Sequence, residues 1–233
     1  PDTPTYRSGV HQGRHVHAML LGGQQVLEAQ FPGITAEELA MGAMPVNVGS
    51  QALFHILGRW RVRYDSAYTV LGASRPLLET AIRRRIAALP RVRTHQGMEV
   101  AGLCIDESGW RATGVRVRER GRRRAWRLAA DLVVDASGRG SRAPQWLADL
   151  GFPTPRETVV DASPGYATRL YRAPVPYPHD WKFLYVQPAP PHQTRGGLIG
   201  CIEDGQWQVT LTGMAGDHPP TDDAGFLDFA RSL

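Results

Sequence analysis

"DLVVDASGRGSR", residues 131–142, passes from an apolar run into a turn of small and charged residues. The run "LVV" at 132–134 is bounded by acids, which is the pattern of a short strand buried in a sheet. Gly138 and Gly140 then allow the backbone to approach a ligand closely, and the amides of such a turn can bind an anion. A plain strand-to-helix turn, with Ser141 capping the helix of "APQWLADLG", explains the same residues equally well.

The composition is that of a globular protein without a nucleic-acid partner. Of 233 residues, 42% are hydrophobic and 21% are charged, which predicts a packed core. The net charge is +5, and Lys182 is the only lysine, so arginine carries nearly all the positive charge. Because the arginines are scattered and no nucleic-acid-binding motif accompanies them, we expect no nucleic acid to bind.

The sequence also bounds the location of the protein. No apolar run approaches the ~20 residues of a membrane-spanning helix, which predicts that no transmembrane segment is present. Cys104 and Cys201 lie far apart and lack the spacing of a metal site or a disulfide framework, which favours a reducing cytoplasm.

Hydrophobic spacing predicts the order of elements in the first part of the chain. A helix is expected over 12–31, with Val16 and Leu20 on its apolar face, followed by strands at 44–48 and 60–71. The segment "SRPLLETAIRRRIAALP" predicts a helix that Ser74 caps and Pro90 ends.

The remaining chain predicts mostly strands. Segments 93–109, 112–120 and 125–137, joined by turns that contain glycine, predict a three-stranded β-meander. From about residue 158 the sequence is strand-like and punctuated by prolines, which predicts an antiparallel sheet. "EDGQW" at 203–207 is typical of a hairpin turn within it.

Four segments, in order, resemble the FAD-dependent monooxygenase group that includes p-hydroxybenzoate hydroxylase. "DLVVDASGRGSRAPQWLADLG" is similar to the second signature motif of that group, in the variant found in its geranylgeranyl reductase, squalene epoxidase-like and flavin halogenase branches. "SRPLLETAIRRRI" resembles the Arg-x-x-Leu helix, "MEVAGL" the strand that follows it, and "GVHQGRHVHAMLLGG" the segment after the ribose-binding acid.

The resemblance implies a set of FAD-binding residues. It implies that Arg75 touches the flavin cofactor, that Val100 holds the adenine through main-chain groups, and that Arg14 faces the cofactor. Asp135 and Gly138 belong to the signature motif. Each has a plainer interpretation, because Arg14 and Arg75 could be surface arginines and Asp135 a turn cap.

The histidines next to Arg14 have alternative interpretations. His11, His15 and His17 could be exposed polar residues at the start of a helix. A metal site is disfavoured, since Gly13 lies between His11 and His15 and no acid is nearby. We therefore predict no metal.

The resemblance implies an α/β fold that is incomplete at both ends. A Rossmann-like FAD-binding domain with a β-meander would comprise 1–45 and 72–157. A mixed or antiparallel substrate sheet would comprise 46–71 and 158–213, with the start of a following helix at 214–233. The chain begins without methionine, and the family's N-terminal glycine motif, ribose-binding acid and later Gly-Asp motif are absent, which predicts an internal fragment.

The implied function is that of an FAD-dependent oxidoreductase, a monooxygenase that inserts one oxygen atom into an apolar or aromatic organic substrate with NAD(P)H as reductant. Ser137 and Pro144 replace the aspartate and the basic residue of the family motif, which leaves the nicotinamide contact open. No nucleophile–base pair emerges and the catalytic residues are unknown, as expected where the cofactor carries the chemistry.

Several residues of the later sheet could line a substrate pocket, or could simply be core and surface residues: Tyr166, Arg169, Tyr185 and Trp207. Three alternative functions remain. The first is a flavin-dependent reductase of polyprenyl double bonds. The second is a halogenase, which needs a lysine near its tunnel; Lys182, the only lysine, lies in the wrong sequence context for that role, which argues against this alternative. The third is a degenerate flavoprotein that binds a ligand without turnover.

Overall fold

The computed structural model describes residues 3–233, which divide into two compact units. Of these residues, 3–92 and 161–233 form the first unit, and Arg93–Val160 form the second. The chain has the mixed α/β architecture predicted from the sequence, with a β-meander and a mixed sheet, so the predicted fold class is confirmed.

Among residues 3–233, the first unit contains four α-helices and eight strands. Its helices are α1 (Leu21–Gln30), α2 (Ile34–Ala40), α3 (Arg75–Ala87) and, by chain order, α5 (Asp223–Arg231). Its strands are β1 (Met44–Asn47), β2 (Ala52–Ile56), β3 (Arg59–Trp60), β4 (Thr69–Gly72), β8 (Gly165–Arg172), β9 (Phe183–Val186), β10 (Arg195–Ile202) and β11 (Gln206–Gly213).

A six-stranded sheet in the order β3-β2-β9-β10-β11-β8 forms the centre of this unit. The strands β8 to β11 pair antiparallel, as the sequence predicted, and β2 joins parallel to β9, which makes the sheet mixed. The predicted hairpin turn is present as a short 3₁₀ helix, Glu203–Gly205, between β10 and β11.

The two faces of the sheet carry different neighbours. On one face, Phe226 and Phe229 of α5 pack against Ala167 and Leu211, and all four side chains are buried. The two-stranded antiparallel sheet of β1 and β4 lies with α3 around a second buried cluster, which includes Leu71, Leu77 and Leu78.

The predicted cap of α3 is confirmed. The Ser74 hydroxyl oxygen accepts a hydrogen bond from the Leu77 amide at 3.2 Å. The same hydroxyl and the Ser74 amide both donate to the carboxylate of Glu203, in the β10–β11 turn. This carboxylate places a negative charge at the N-terminus of the helix, where the macrodipole favours it. The contact joins α3 to the six-stranded sheet.

The predicted continuous helix over 12–31 is wrong. A 3₁₀ turn at His11–Arg14 leads into an extended segment, and the α-helix begins only at Leu21. The backbone at 14–16 bonds to side chains of β11, Gln208 and Thr210, and these bonds hold the segment extended across the sheet.

The predicted strand over 60–71 is also only partly present, since the residues between β3 and β4 are not extended into a ladder. The amide of Asn47 donates to Asp65 and to the carbonyl of Ser66, while Arg63 bonds Ser50 and Asp180. These side-chain hydrogen bonds hold the segment as a loop, in place of the predicted strand.

The second unit is the predicted β-meander with one helix after it. Its strands pair antiparallel in the order β5-β6-β7, and the helix follows a glycine-containing 3₁₀ turn at Gly138–Gly140. The bounds are β5 (Met98–Ile105), β6 (Ala112–Glu119), β7 (Ala125–Ala129) and α4 (Ala143–Asp149). The predicted cap at Ser141 is wrong, because the N-cap residue of α4 is Arg142, whose side chain makes no capping hydrogen bond. Ser141 lies one residue earlier, and its hydroxyl accepts from the Ala143 amide at 3.1 Å.

The prediction of a buried strand at 132–134 is wrong in this structure. Strand β7 ends at Ala129, and the side chains of Leu132 and Val134 are 78% and 77% exposed. A strand is stabilised by a neighbour that pairs with its amides and carbonyls, and within residues 3–233 no strand pairs with this segment.

Candidate functional site

An apolar cavity of about 170 Å³ lies in the first unit, on the face of the six-stranded sheet opposite α5. The extended segment before α1 covers it, and the β1–β4 sheet lines its side. Nearly all of its lining is aliphatic or aromatic, so it suits an apolar ligand. The lining includes Val16, His17, Leu20, Val46, Phe54, Val70, Leu71, Lys182, Phe183 and Ile202.

Two buried polar side chains of β11 hold the covering segment in place. The Gln208 amide nitrogen donates to the Arg14 carbonyl at 2.9 Å, and the Thr210 hydroxyl oxygen accepts from the Val16 amide at 3.0 Å. Gln208 is 1% exposed and Thr210 2% exposed. Leaving a buried polar group without a hydrogen bond costs free energy, so these bonds hold the segment at one position over the cavity.

A chain of hydroxyl groups continues from Thr210 to His15. Thr210 and Thr168 lie 2.7 Å apart through their hydroxyl oxygens, and Thr168 lies 2.7 Å from Nδ1 of His15. With His15 neutral, Thr210 donates to Thr168 and Thr168 donates to Nδ1, so every hydroxyl has a partner. Burial, and then the neighbouring His17, lower the pKa of His15, which favours this arrangement.

The ring of His17 is oriented by its own backbone. Its Nδ1 lies 2.8 Å from the carbonyl oxygen of His15. Because a carbonyl oxygen only accepts, Nδ1 carries the hydrogen, and the neutral ring keeps its lone pair on Nε2. The sequence alone did not distinguish His17 from His11 and His15. Only the fold places His17 in the lining of the cavity.

The sole lysine of the chain also lines the cavity. Lys182 is the residue immediately before β9, and its side chain lines the cavity. Its Nζ donates a hydrogen bond of 2.8 Å to the carbonyl oxygen of Pro45 in β1. The sequence context of Lys182 gave no indication of this position, since the contact with β1 spans 137 residues.

Of the predicted cofactor residues, Arg14 and Arg75 come close together. The Arg14 guanidinium is exposed and lies 4.9 Å from the ring centroid of Tyr6. The turn that carries Arg14 packs against the start of α3, where a Cβ on Gly13 would lie 3.6 Å from Cγ of Arg75.

Arg75, the first residue of α3, has an ion-pair partner on the same helix. Its Nε donates to Glu79 at 2.9 Å, and Glu79 also accepts from Arg7 at 2.6 Å. The unfavourable position of a cation at a helix N-terminus is therefore offset by Glu79 within the protein. Among residues 3–233, nothing accepts a hydrogen bond from the two terminal nitrogens of Arg75, whose side chain is 38% exposed.

The other predicted cofactor residues lie in the second unit. Val100 is within β5, opposite Val117 of β6, and is 41% exposed. The Asp135 carboxylate accepts from the amide and hydroxyl of Ser137 and from the hydroxyl of Ser141, and these bonds lower its pKa. Gly138 has φ of +72°, and open space surrounds the position of a Cβ. These contacts show Asp135 organising its own turn.

The four predicted pocket residues divide between the two faces of the sheet. Tyr166 and Tyr185 lie on the cavity face. The Tyr166 ring is 5.6 Å from that of His15, and the Tyr185 ring is 6.5 Å from that of Phe54, which lines the cavity.

Arg169 and Trp207 lie on the opposite face, away from the cavity. Arg169 pairs with Asp223 and donates to the Thr221 carbonyl, with its guanidinium 5.2 Å from the ring centroid of Phe226. Trp207 packs with Tyr177 and Trp181. These contacts give both residues structural partners.

Two absences hold for residues 3–233. No three histidine, cysteine, aspartate or glutamate side chains gather there in a way that could hold a metal ion. None of the helices in the same range combines the length and apolar character needed to cross a bilayer.

No protein-family model matches the chain. Protein Rv3254 of Mycobacterium tuberculosis is 32% identical over 229 residues, which cover 94% of this chain and 48% of the relative. The chain therefore spans about half the length of that curated relative.

Solved structures share the fold at low sequence identity. p-Nitrophenol 4-monooxygenase PnpA from Pseudomonas putida has a TM-score of 0.65 at 13% identity, over 97% of this chain and 53% of that one. The myxobacterial chondrochloren halogenase CndH, an FAD-dependent halogenase, has a TM-score of 0.55 at 18% identity, over 91% and 45%. The fold of this chain is thus one that FAD-dependent monooxygenases and halogenases share.

Proposed function

We propose that the protein is an FAD-dependent monooxygenase that inserts one oxygen atom into a small apolar or aromatic substrate held in the cavity. The observation that carries this proposal is the apolar cavity itself, on the sheet of a fold shared with such enzymes. The segment that covers the cavity also carries Arg14, so one short stretch of chain would serve both cofactor and substrate.

The residues present fit FAD by the chemistry of their donors. Arg14 is exposed, and Arg75 has two terminal nitrogens available beside it, which suits an anionic diphosphate or a flavin carbonyl. In the second unit, Val100 is 41% exposed, and open space surrounds the position of a Cβ at Gly138, which suits close contacts with adenine and phosphate. When bound, FAD would supply the redox chemistry, with NAD(P)H as its reductant.

The chain itself would bind and orient the substrate. The aliphatic and aromatic lining excludes water from the reacting group, and the bonds of Gln208 and Thr210 keep the covering segment in register with the sheet. The precise position of the substrate would affect the reaction rate more than its affinity does, because a small misplacement lowers the rate steeply. We also propose a cytoplasmic location, which the two free cysteines support.

The test uses the full-length protein. It should purify yellow, or turn yellow when FAD is added, and should consume oxygen with NAD(P)H when a small aromatic compound is supplied. The product should gain the mass of one oxygen atom. A folded protein that takes up no FAD contradicts the proposal. Uptake of FAD without turnover on any aromatic compound would instead support a flavoprotein that only binds a ligand.

Halogenation is a second candidate, and one observation favours it. Lys182, the only lysine, lines the cavity, where a cationic amine could meet a reactive halogen species. Turnover in the presence of bromide separates the candidates, since mass spectrometry distinguishes a brominated product from a hydroxylated one. Replacement Lys182→Met should abolish bromination and leave hydroxylation measurable.

A further inference from the structure

The β2–β3 hairpin and the residues after it expose a group of large apolar side chains at one edge of the six-stranded sheet. The most exposed are Val62, at 87%, and Leu57, at 81%. Single apolar residues are ordinary on a protein surface, whereas a group of them is typical of contact with a partner. The apolar members and the two arginines between them form the hairpin surface: Leu57, Arg59, Trp60, Arg61, Val62 and Tyr64.

The turn of the hairpin holds a leucine where the backbone disfavours one. Ile56 pairs with Arg59, so Leu57 and Gly58 form a two-residue turn, and their φ angles are +53° and +74°. Asn-Gly is the preferred sequence for such a turn, because the left-handed region is costly for a residue with a bulky side chain. Packing within residues 3–233 does not offset this cost, since the leucine is mostly exposed. A strained and exposed leucine points to a contact outside the protein.

The two arginines of the hairpin surface carry charge that no acid neutralises in the described part of the chain. Arg59 and Arg61 are exposed, and neither guanidinium forms an ion pair within residues 3–233. Asp65, the nearest acid in sequence, accepts a hydrogen bond from Asn47. Charged side chains on an edge strand can prevent unwanted pairing with another strand, but that role does not require exposed apolar residues beside them.

We propose that the hairpin surface docks the protein on a bilayer that contains anionic phospholipids. Leu57 and Val62 would enter the boundary of the acyl chains, and Arg59 and Arg61 would pair with lipid phosphates. The Trp60 ring would lie at the level of the headgroups, as tryptophan does at bilayer interfaces. Its centroid is 5.0 Å from that of His55, which holds the ring in place while more than half of the side chain stays exposed.

The charges of the hairpin surface disfavour a second copy of the chain as partner. A symmetric dimer brings the same patch of both copies together, so Arg59 and Arg61 would meet their counterparts with no acid between them. A single-stranded nucleic acid could pair with the arginines and stack on Trp60, but it would leave Leu57 and Val62 without an apolar partner. A bilayer interface matches all three kinds of side chain.

The hairpin surface lies beside the apolar cavity. An open groove of about 900 Å³ is lined by Arg59, Arg61 and Val62, and it shares Ala52 and Phe54 with the lining of the cavity. A docked protein would present this groove to the bilayer, where apolar compounds accumulate. The docking itself does not depend on the proposed chemistry, so it can be tested without turnover.

The test is sedimentation of the full-length protein with lipid vesicles, with no substrate or reductant present. The protein should sediment with vesicles of phosphatidylcholine that contain phosphatidylserine, and far less with phosphatidylcholine alone. The double variant Arg59→Gln, Arg61→Gln should bind the anionic vesicles about thirtyfold more weakly, which corresponds to ~1 kcal/mol for each arginine near the surface. Raised salt should also weaken binding of the unaltered protein, because it screens the lipid charge.

The variant Leu57→Asn separates docking from folding. Asparagine suits the left-handed turn, so Tm should stay constant or rise, whereas vesicle binding should fall about tenfold because an apolar side chain is lost. The matched controls are on β8, at the opposite edge of the same sheet. Leu170→Asn and Arg172→Gln replace exposed residues of the same two types there, and both should leave vesicle binding unchanged.

Other results overturn the proposal. It is wrong if the full-length protein does not bind anionic vesicles, if Leu57→Asn and the double arginine variant bind them normally, or if the β8 controls weaken binding equally. A dimer that Leu57→Asn dissociates, seen by light scattering in place of vesicle binding, would identify a second copy as the partner. Binding to single-stranded DNA alone would identify a nucleic acid.

FAD uptake is measured on the same samples, which keeps the two proposals distinct. A protein that takes up FAD but ignores the vesicles refutes only the membrane docking. One that binds anionic vesicles through the hairpin surface but never takes up FAD refutes only the proposed function.

Discussion

Replacing Thr210 by valine should destabilise the protein, whereas the same change at Thr212 should not. Both threonines lie on the cavity face of β11 and both are buried. The Thr210 hydroxyl accepts from the Val16 amide and bonds Thr168, but the Thr212 hydroxyl is buried without any partner among residues 3–233. The two substitutions therefore make the same change in side-chain shape, but only Thr210→Val removes hydrogen bonds.

The expected magnitude follows from the groups left unpaired. Thr210→Val leaves the Val16 amide without its acceptor, which costs about 1–3 kcal/mol. For a protein of 150–250 residues each kcal/mol lowers Tm by about 2–4 °C, so a fall of roughly 2–12 °C is expected. Thr212→Val removes a buried hydroxyl that has no partner, and its Tm should stay constant or rise.

The assay compares thermal unfolding of the two variants in the absence of cofactor, with amide hydrogen exchange at Val16 as a local readout. Thr210→Val should speed exchange of that amide specifically, because the segment over the cavity loses its attachment. The reasoning is refuted if Thr210→Val is as stable as Thr212→Val, or if the Val16 amide exchanges equally slowly in both variants.

Three further predictions follow from individual side chains. Arg75→Ala should weaken FAD retention about tenfold or more, because a charge-assisted bond worth about 1.5–3 kcal/mol is lost. Its Tm without FAD should move by less than about 2 °C, since the ion pair with Glu79 and the helix-dipole conflict are both small; Arg83→Ala on the same helix should change neither, and equal FAD loss in both variants would contradict the assignment. Burial and then the nearby acids raise the pKa of Glu38, whose Oε1 is buried without a partner among the described residues. A raised carboxyl pKa costs stability above its unfolded value, so Glu38→Gln should raise Tm at pH 8 more than at pH 4, and a uniform change would argue against this cause. The pKa of His15 is lowered, so stability should be lost as pH falls below about 6.5, and His15→Gln should show a smaller loss between pH 7 and pH 5.

Elements with local signals were predictable from the sequence. Helix α3 carries its cap at Ser74 and is followed by Pro90, and the β10–β11 turn lies in a polar "EDG" between two apolar strands. The β-meander was also visible, because its turns contain glycine. Each of these signals acts between residues that are close in sequence.

Features that depend on distant contacts were not predictable. The residues before α1 have helical spacing, yet Gln208 and Thr210 hold them extended. The apolar run at 132–134 has the composition of a strand but pairs with no strand among the described residues. The alternation of residues along β8 did not predict which face of the sheet Arg169 would occupy. Arg169 lies on the face that carries α5, because pairing with β11 fixes the register of β8.

Two of the hydrogen bonds around the cavity join parts of the chain that the ribosome synthesises at different times. The Val16 amide and the Thr210 hydroxyl are separated by 194 residues, and Ser74 and Glu203 by 129. Closing such long loops costs entropy before any contact repays it, which makes these contacts slow to form. The cavity would therefore be assembled after the hairpins around it, and a nascent chain would expose its apolar lining until β11 emerged from the ribosome.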